Sequence, residues 1–164
     1  MEPSLKTPEQ LLAYKSIPQL LAGKSTGVAS VSPGTLVYDA LLLMEKRDIG
    51  FLVVLEQEEL VGVISERDYA RKVIIVGKAS RDTPVRDIMT ETVLTVTTSD
   101  TLPTCMALMT EKRIRHLPVM DGGRVIGVLS MRDLLKETIT HHERLIRDME
   151  LERIAIMNSG AGSY

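Results

Sequence analysis

Two stretches of the sequence share one pattern: Gly62-Val63-Ile64-Ser65-Glu66-Arg67-Asp68 and Gly127-Val128-Leu129-Ser130-Met131-Arg132-Asp133. They are identical at the glycine, the first valine, the serine, the arginine and the aspartate, and they lie 65 residues apart. The same shift places residues 28–74 on residues 93–139 without a gap and aligns apolar positions throughout. Self-similarity at a fixed distance indicates repeated structural units, so we interpret the chain as two copies of one unit.

Hydrophobic periodicity predicts the same order of elements in each copy. A short β-branched segment precedes apolar residues at helical spacing, two strand-like segments joined by a tight turn come next, and a second helix follows. Ser65 and Ser130 each end a predicted strand and suit the N-cap of the next helix. The order is therefore β-α-β-β-α. The predicted elements are strand 28–31, helix 35–47, strands 51–55 and 60–64 and a helix from residue 66 in copy one, and strand 93–96, helix 101–112, strands 116–120 and 124–129 and a helix from residue 131 in copy two.

One unit of about 55 residues would leave a sheet face exposed, so the two units should pack together. We predict a mixed α/β (α+β) fold in which two β-α-β-β-α repeats form a pseudo-symmetric pair, with extra N- and C-terminal helices. The N-terminal helix is expected from Thr7 to Tyr14, and the final helix from Met131 to about Met157, with an apolar stripe that needs a partner. The predicted parts are an N-terminal helical extension (1–23), repeat 1 (24–81), repeat 2 (82–140) and a C-terminal helix extension and tail (141–164).

The composition is that of an ordinary globular chain: 44% of the 164 residues are apolar and 26% are charged. A net charge of −2 and few aromatic residues, four Tyr and one Phe, argue against nonspecific nucleic-acid binding. No apolar run approaches the roughly 18 residues of a membrane span, and the N-terminus lacks the apolar core of a signal peptide. We therefore expect neither secretion nor membrane insertion, and the single cysteine, Cys105, fits a cytoplasmic protein.

The repeated motif carries groups that suit a phosphorylated sugar. The serine would present a hydroxyl beside free backbone N–H groups, where a phosphate is favoured, and the aspartate could accept hydrogen bonds from two vicinal ribose hydroxyls. The arginine offers a forked cation to phosphate oxygens, and the glycine removes a side chain that would crowd a ligand. The same residues could instead form only a helix start, but their recurrence favours ligand contact. They are Gly62, Ser65, Arg67 and Asp68 in copy one and Gly127, Ser130, Arg132 and Asp133 in copy two.

The sequence resembles the tandem CBS-domain pair, or Bateman module, named after cystathionine β-synthase. The resemblance covers roughly residues 24–140 and rests on Asp87-Ile88-Met89, on Ile114-Arg115-His116-Leu117-Pro118-Val119 and on the two Gly-x-x-Ser-x-Arg-Asp segments. It implies a regulatory module that senses adenine nucleotides rather than an enzyme. Ligands in the family are AMP, ADP, ATP, NAD(H) or S-adenosylmethionine, bound in clefts between the paired units, and we predict no metal.

The resemblance also implies which residues would surround a nucleotide. The adenine would pack near the first strand and the start of the second, and Arg115 and His116 stand where family members reach phosphates. Copy one has Gly50 and Phe51 at those positions, so the clefts should differ, and the Arg115/His116 cleft is expected to prefer the more highly charged phosphate group. The predicted nucleotide-binding residues are Val28, Ile49, Gly50, Ser65, Arg67, Asp68, Thr95, Ile114, Arg115, His116, Ser130, Arg132 and Asp133.

Three other features are better explained by packing than by chemistry. Gly23-Lys24-Ser25 ends like a P-loop, but the first glycine of that motif would fall on Pro18. His141-His142 has no third metal ligand and is interpreted as part of a solvated helix face. Cys105 takes the place of Ala40 on the apolar stripe of a predicted helix, so we expect a packed thiol rather than a nucleophile.

The favoured function is therefore a regulatory module that binds an AMP-, ATP- or NAD-type ligand and signals to a separate, unidentified protein. CBS pairs commonly associate into flat dimers through helices, so the resemblance implies a homodimer, and the long final helix is the best candidate for extending that interface. The rival interpretation is a purely structural dimerisation module whose clefts bind no nucleotide. An enzyme is least favoured, because no nucleophile–base pair, metal set or carboxylate pair recurs at a supportive spacing.

Overall fold

Each copy of the repeat is built on a three-stranded sheet of its own. The computed structural model describes residues 13–24 and 27–160. In both sheets the first strand runs parallel to the second, which pairs antiparallel with the third through a tight hairpin. A parallel pair needs a crossover connection, and a helix supplies it in each copy. The strands are β1 (Ser30–Val31), β2 (Phe51–Glu56) and β3 (Glu59–Ser65) in copy one, and β4 (Val96–Thr97), β5 (His116–Asp121) and β6 (Arg124–Ser130) in copy two.

The helices follow the same repeat but end differently. They are α1 (Ile17–Ala22), α2 (Val37–Arg47), α3 (Glu66–Tyr69), α4 (Leu102–Lys112) and α5 (Met131–Gly160). α2 and α4 are the crossover helices and have 11 residues each. α3 has four residues before the chain continues as a π-helix over Ala70–Ile74, whereas its counterpart α5 runs for 30 residues. A 3-10 turn at Val85–Asp87 lies between the copies.

Local backbone details repeat along with the sequence. α2 and α4 both end at a residue in the left-handed conformation, Asp48 and Arg113. Both hairpins shift register at equivalent positions, after Val54 in copy one and after Val119 in copy two. The two helix ends and the two register shifts are each 65 residues apart, the same distance as in the sequence repeat. The predicted fold class of two β-α-β-β-α repeats is therefore confirmed.

The two hairpin turns differ in the residues at their centres. Copy two places Gly122 and Gly123 at two positions with positive φ, the residue type that such a turn favours. Copy one places Gln57 and Glu58 there, at φ of 50° and 70°. A Cβ makes the left-handed region less favourable, so the turn of copy one is the more strained.

Each copy has its own apolar core, and α1 belongs to the core of copy two. Ile17 of α1 is fully buried in that core, so the segment that precedes copy one along the chain packs against copy two. α1 lies against β6, and the two copies meet where β3 contacts β6. The N-terminal segment is thereby held close to the end of β6, where Ser130 of the second motif lies.

The motif glycines make room for protein side chains. A Cβ on Gly127 would lie 2.5 Å from a terminal carbon of Leu21 in α1, and a Cβ on Gly62 would lie 2.7 Å from the sulfur of Met89. The space beside these two glycines is therefore used by protein side chains. Their absent side chains allow Leu21 and Met89 to pack closely on the sheets.

The predicted ends of several elements are also corrected. The helix expected over residues 7–14 lies mostly outside the described residues, residues 13–16 have no regular secondary structure, and α1 begins only after them. The first strand of each copy has two residues rather than four, starting at Ser30 and at Val96. In copy one the hydrogen bonding to β2 begins one residue earlier, where the Val53 N–H donates to the Ala29 carbonyl at 3.2 Å.

α5 buries a histidine that was expected in solvent. His141 is 4% exposed, and its ring centre lies 4.5 Å from that of Tyr14. One turn earlier, the buried carboxylate of Glu137 lies 3.3 Å from Lys15 Nζ. The interpretation of this histidine pair as a solvated face is wrong for His141 and correct for the exposed His142, because the N-terminal segment covers one side of α5.

Candidate functional site

The serine and aspartate of each motif hold each other at the strand-to-helix junction. In copy two, the Ser130 N–H and hydroxyl donate to Asp133 Oδ2 at 2.7 and 2.6 Å, and the Asp133 N–H donates to Ser130 Oγ at 3.2 Å. In copy one, Ser65 and Asp68 repeat these bonds at 3.0, 2.7 and 3.3 Å. This reciprocal arrangement is a capping box. The helix cap that the sequence allowed is therefore present, and it fixes the position of both carboxylates.

A lysine binds each of these carboxylates. Lys24 Nζ lies 2.6 Å from Asp133 Oδ2 and donates to a backbone carbonyl at 2.6 Å. Lys72 Nζ lies 2.8 Å from Asp68 Oδ1 and donates to a backbone carbonyl at 2.7 Å. Neither lysine was predicted from the sequence. The spacing of four residues between Asp68 and Lys72 is a signal that could have been used, whereas Lys24 lies in a distant part of the chain and gives none.

The environment of Asp133 keeps its carboxyl ionised. Burial alone would raise the pKa of this carboxyl. Hydrogen bonds from Lys24 and Ser130 outweigh burial and lower the pKa below its ordinary value. At neutral pH the carboxylate is therefore an acceptor only, and it can bind hydroxyl donors of a ligand.

Two clefts open between the copies, one beside each junction. Cleft A has a volume of about 520 Å³ and cleft B of about 490 Å³. Both volumes lie in the range of small-molecule binding sites. Cleft A is defined by Val28, Ala29, Ile49, Gly50, Ser130, Arg132 and Asp133, and cleft B by Val93, Leu94, Ile114, Arg115, Ser65, Arg67 and Asp68.

Each cleft combines the junction of one copy with the first-strand region of the other. In cleft A, Val28 and Ile49 of copy one lie across from Asp133 of copy two. In cleft B, Val93 and Ile114 of copy two lie across from the junction of copy one. Twelve of the thirteen predicted residues line one cleft or both, so the structure brings them together, but across the copies rather than within each copy.

Thr95 is the predicted residue that lies outside the walls of both clefts. It is exposed, whereas its neighbour Val96 is buried in the core of copy two. Because successive residues of an extended chain face opposite sides, Thr95 is directed away from the core side. Thr92, which the sequence analysis did not select, lines cleft B instead.

Phe51 and His116 form the partition between the clefts, since each lines both. Their rings are stacked, with centres 4.5 Å apart and planes 13° apart. Burial, followed by the charges of Lys24 and Arg115, lowers the pKa of His116 to about 4, against an opposing effect of Asp133. At neutral pH His116 is therefore uncharged and adds no cation to either cleft.

Fixed charge on the walls does not favour cleft B. The described walls of cleft A carry three cationic and two anionic side chains, and those of cleft B carry two of each, with Lys72 beside them. The expectation that the Arg115/His116 cleft prefers the more highly charged phosphate group does not follow from this arrangement. The charged side chains are Lys24, Arg47, Arg132, Asp48 and Asp133 for cleft A, and Arg67, Lys72, Arg115, Glu66 and Asp68 for cleft B.

The family of the chain is settled by its sequence signature. The CBS domain signature matches residues 24–75 and again residues 85–139, together more than half of the chain. The chain belongs to the CBS-domain family. It is a tandem CBS pair, a regulatory module, and the proteins of this family are typically regulatory rather than catalytic.

Similar CBS proteins occur in plants and bacteria. The mitochondrial CBS domain-containing protein CBSX3 of Arabidopsis thaliana is 42% identical over 123 residues, which are 72% of this chain and 57% of that protein. YhcV of Bacillus subtilis is 31% identical over 110 residues, 67% of this chain and 78% of that protein. The chain thus spans little more than half the length of the plant CBS relative.

Solved CBS structures share the fold. A CBS-domain protein from Burkholderia ambifaria MC40-6 has a TM-score of 0.73 and 42% identity, over 77% of this chain and 95% of the other. The CBS pair of protein MJ0100, in complex with 5′-methylthioadenosine and S-adenosyl-L-methionine, has a TM-score of 0.66 and 22% identity, over 75% and 94%. At that identity the second likeness shows the fold alone.

Within residues 13–24 and 27–160, no helix combines the length and apolar character needed to cross a membrane. The same ranges contain no group of three or more His, Cys, Asp or Glu side chains placed to hold a metal ion. Cys105 is fully buried, and burial, followed by Asp100, raises the pKa of its thiol to about 11, so it packs as a neutral core residue.

Proposed function

We propose that this CBS pair binds adenine nucleotides (AMP, ADP, ATP or NAD(H)) in clefts A and B and regulates a separate protein in response. The observation that supports this most is the pairing, in each cleft, of a carboxylate fixed at a helix start with an apolar wall from the other copy. The carboxylate would accept the two vicinal ribose hydroxyls, and the apolar wall would hold the base.

The proposed roles divide among the cleft residues by chemistry. Asp68 and Asp133 bind ribose, while Ser65 and Ser130 hold these carboxylates in place through the capping boxes. The arginines of the motifs, together with Arg115, bind phosphate oxygens, since a guanidinium offers a fork of donors. The base packs against apolar residues and backbone, namely Val28, Ile49, Gly50 and Ile114, with His116 and Phe51 as the partition.

Binding at either cleft exchanges a lysine for a ribose. Asp133 Oδ2 already accepts hydrogen bonds from Ser130 and Lys24, so a vicinal diol that binds this oxygen replaces the lysine there. The released ammonium group remains beside the cleft, where it can pair with a phosphate. The same exchange applies to Lys72 and Asp68 in cleft B.

A structural neighbour supports the adenosine part of this proposal. The CBS pair of MJ0100 forms a complex with 5′-methylthioadenosine and S-adenosyl-L-methionine. These two molecules share an adenosine with a 2′,3′-diol, which is the part that the carboxylate and the apolar wall would recognise. In this proposal the carboxylate contacts the diol, the apolar wall contacts the base, and the phosphates add to binding.

The regulatory output is proposed to pass through a homodimer to a separate protein in the cytoplasm. A ligand changes the output only if it binds two packing arrangements of the dimer with different affinity. The fully buried, protonated thiol of Cys105 suits a reducing compartment. The cytoplasm is proposed on that basis, and the Arabidopsis relative bears the description mitochondrial.

Calorimetric titration of the full chain with AMP, ATP and NADH tests the proposal. The wild type is compared with Asp133→Asn and Asp68→Asn, because asparagine keeps an oxygen acceptor for the serine but removes the charge. We expect each variant to lose binding in its own cleft only, while the matched control Asp121→Asn, at an exposed carboxylate that lines neither cleft, binds like the wild type. No binding of any of these ligands at millimolar concentration would favour the purely structural dimerisation module instead.

A further inference from the structure

The final helix carries an apolar stripe about 100° around the helix from its buried face. Leu134 and His141 pack inward with 0% and 4% exposure. The stripe begins at Leu135 and Ile139, which are 47% and 58% exposed, and continues at Ile146, 54% exposed, and beyond. A helix of 30 residues is about 45 Å long, so its second half extends well past the core of copy two.

The spacing of the stripe is that of a coiled coil. Its positions recur at alternating intervals of four and three residues, the a and d positions of a heptad repeat. Five of the seven are apolar, and the two polar ones are His142 and Arg153. A repeat of 3.5 residues keeps these positions on one seam along the helix. The seam positions are Leu135, Ile139, His142, Ile146, Met149, Arg153 and Ile156.

We propose that this seam binds the same seam of a second copy of the chain, with the two helices antiparallel. The proposal specifies the contact within the homodimer of the proposed function. It does not depend on nucleotide binding, so either proposal can fail while the other stands.

One register matches six of the seven seam positions of this helix, and Leu135 falls opposite residue 160. In an antiparallel pair, a positions face d positions of the other helix. When Ile146 faces Met149 of the second copy, Ile139 faces Ile156, and Arg153 faces His142. The other four apolar seam residues then meet only apolar residues, and the two polar interruptions coincide. Shifting by one heptad in either direction places Arg153 against Leu135 or Met149.

Charge favours the same orientation. In the antiparallel register, Arg153 lies beside Glu143 of the second copy, which follows His142 in the sequence. In a parallel, in-register pair, Arg153 would face its own copy in the seam, where two cations repel. The proposal therefore commits to one partner and one orientation, and both follow from the sequence of the seam.

Distances between single spin labels test the arrangement directly. Cysteines are introduced at Thr140, Arg147 or Ile154, which share one face of the helix outside the seam, in a Cys105→Ala background that matches Ala40 of copy one. At about 1.5 Å per residue, the antiparallel register offsets each label from its twin along the helix by about 22, 2 and 20 Å. We expect the shortest distance at residue 147 and longer, similar distances at 140 and 154.

Two exposed apolar residues provide a matched pair of controls. Ile146→Glu places a charge in the seam, whereas Leu151→Glu places it on the helix outside the seam, at a residue that is 60% exposed. We expect Ile146→Glu to abolish the distance pattern and Leu151→Glu to leave it unchanged. Equal distances at all three label positions would show a parallel pair, and the absence of any dipolar signal would show no pairing; each result would overturn the proposal.

Discussion

Clefts A and B use the same motif but obtain their lysine from different parts of the chain. In cleft B, Lys72 follows Asp68 by four residues and is local to the junction. In cleft A, Lys24 comes from the segment that follows α1 and reaches across to copy two. The positions 65 residues after Lys24 and Lys72 hold Met89 and Glu137, so neither lysine is repeated. The carboxylate is thus part of the repeated motif, whereas the lysine that binds it comes from a non-equivalent position in each cleft.

Because of this difference, the lysine of cleft A is connected to the N-terminal segment, and the lysine of cleft B is not. Lys24 lies two residues beyond the end of α1, whose Ile17 is buried in the core of copy two. A ligand that displaces Lys24 therefore releases one attachment of the N-terminal segment to copy two. A ligand that displaces Lys72 frees a side chain on the same short helical segment as Asp68. We expect binding in cleft A, but not in cleft B, to alter the N-terminal segment.

The largest expected difference between the copies comes from filling the motif glycines. Gly62→Val directs its side chain at Met89 and also at the backbone oxygen of Thr90, 3.2 Å from the new Cβ, so we expect a loss of about 3 kcal/mol of folding free energy. Gly127→Val meets only the flexible end of Leu21, so we expect about 1 kcal/mol and displacement of α1 instead.

Urea unfolding measures both losses, and amide exchange of residues 17–22 reports on α1. Protection of these amides should fall in Gly127→Val and not in Gly62→Val. Equal destabilisation of the two variants with α1 protected in both would contradict the account of why the glycines are there.

The partition between the clefts should make stability depend on pH. The pKa of His116 is about 4 in the folded protein and about 6.5 in the unfolded protein, so the unfolded state binds the proton more tightly. The contribution of His116 to the free energy of unfolding is therefore complete above pH 6.5 and is lost as the pH falls toward 4. The substitution His116→Phe, which introduces the residue found at the equivalent position 51, removes this pH-dependent contribution. We expect the wild type to lose about 2 kcal/mol more than His116→Phe between pH 7 and pH 4, after allowance for partial exposure.

Urea unfolding at a series of pH values checks this difference, and proton NMR of the imidazole gives the pKa directly. A folded-state pKa near 6.5, with equal pH dependence in the two proteins, would mean that the ring is solvated rather than buried in the partition.

The two lysines should differ in their contribution to stability. Lys24→Met gives this position the residue that copy two has at the equivalent position, Met89, and we expect a loss of about 1 to 2 kcal/mol, because the Lys24–Asp133 pair is less than a third exposed on both sides. Lys72→Met should cost less, about 0.5 kcal/mol, since Lys72 is 41% exposed.

NMR titration provides the matching spectroscopic test. Without Lys24, the pKa of Asp133 should rise, and the pKa of His116 should rise as well, because Lys24 lowers both. Lys72→Met should leave both values unchanged. A rise of neither pKa in Lys24→Met would show that the lysine does not occupy the carboxylate in solution.

The smallest effect concerns the hairpin turns. Glu58→Gly gives copy one the residue that copy two has there, at a φ of 70° that glycine adopts without a penalty. We expect a gain of about 0.5 to 1 kcal/mol, and the reverse change Gly123→Glu should destabilise by a similar amount. Thermal unfolding of the two variants and the wild type shows whether each substitution stabilises or destabilises the fold.

The repeat, the order of elements and the two serine–aspartate junctions could be predicted from the sequence, because each depends on local pattern and spacing. The pairing of each junction with the wall of the other copy could not, since it follows from the packing of β3 on β6. Lys24 and the buried His141 were missed for the same reason: their partners are distant in the chain. Thr95 was misplaced because a shift of one residue along an extended segment reverses its side.

The central claim is that a ribose diol replaces a lysine on the motif carboxylates. A crystal structure of the full chain with millimolar AMP tests it most directly. The account predicts both ribose hydroxyls within about 3 Å of Asp133 or Asp68 and the corresponding lysine turned toward the phosphate. Clefts that contain only solvent, or a nucleotide bound with Lys24 still on Asp133 and Lys72 still on Asp68, would contradict it.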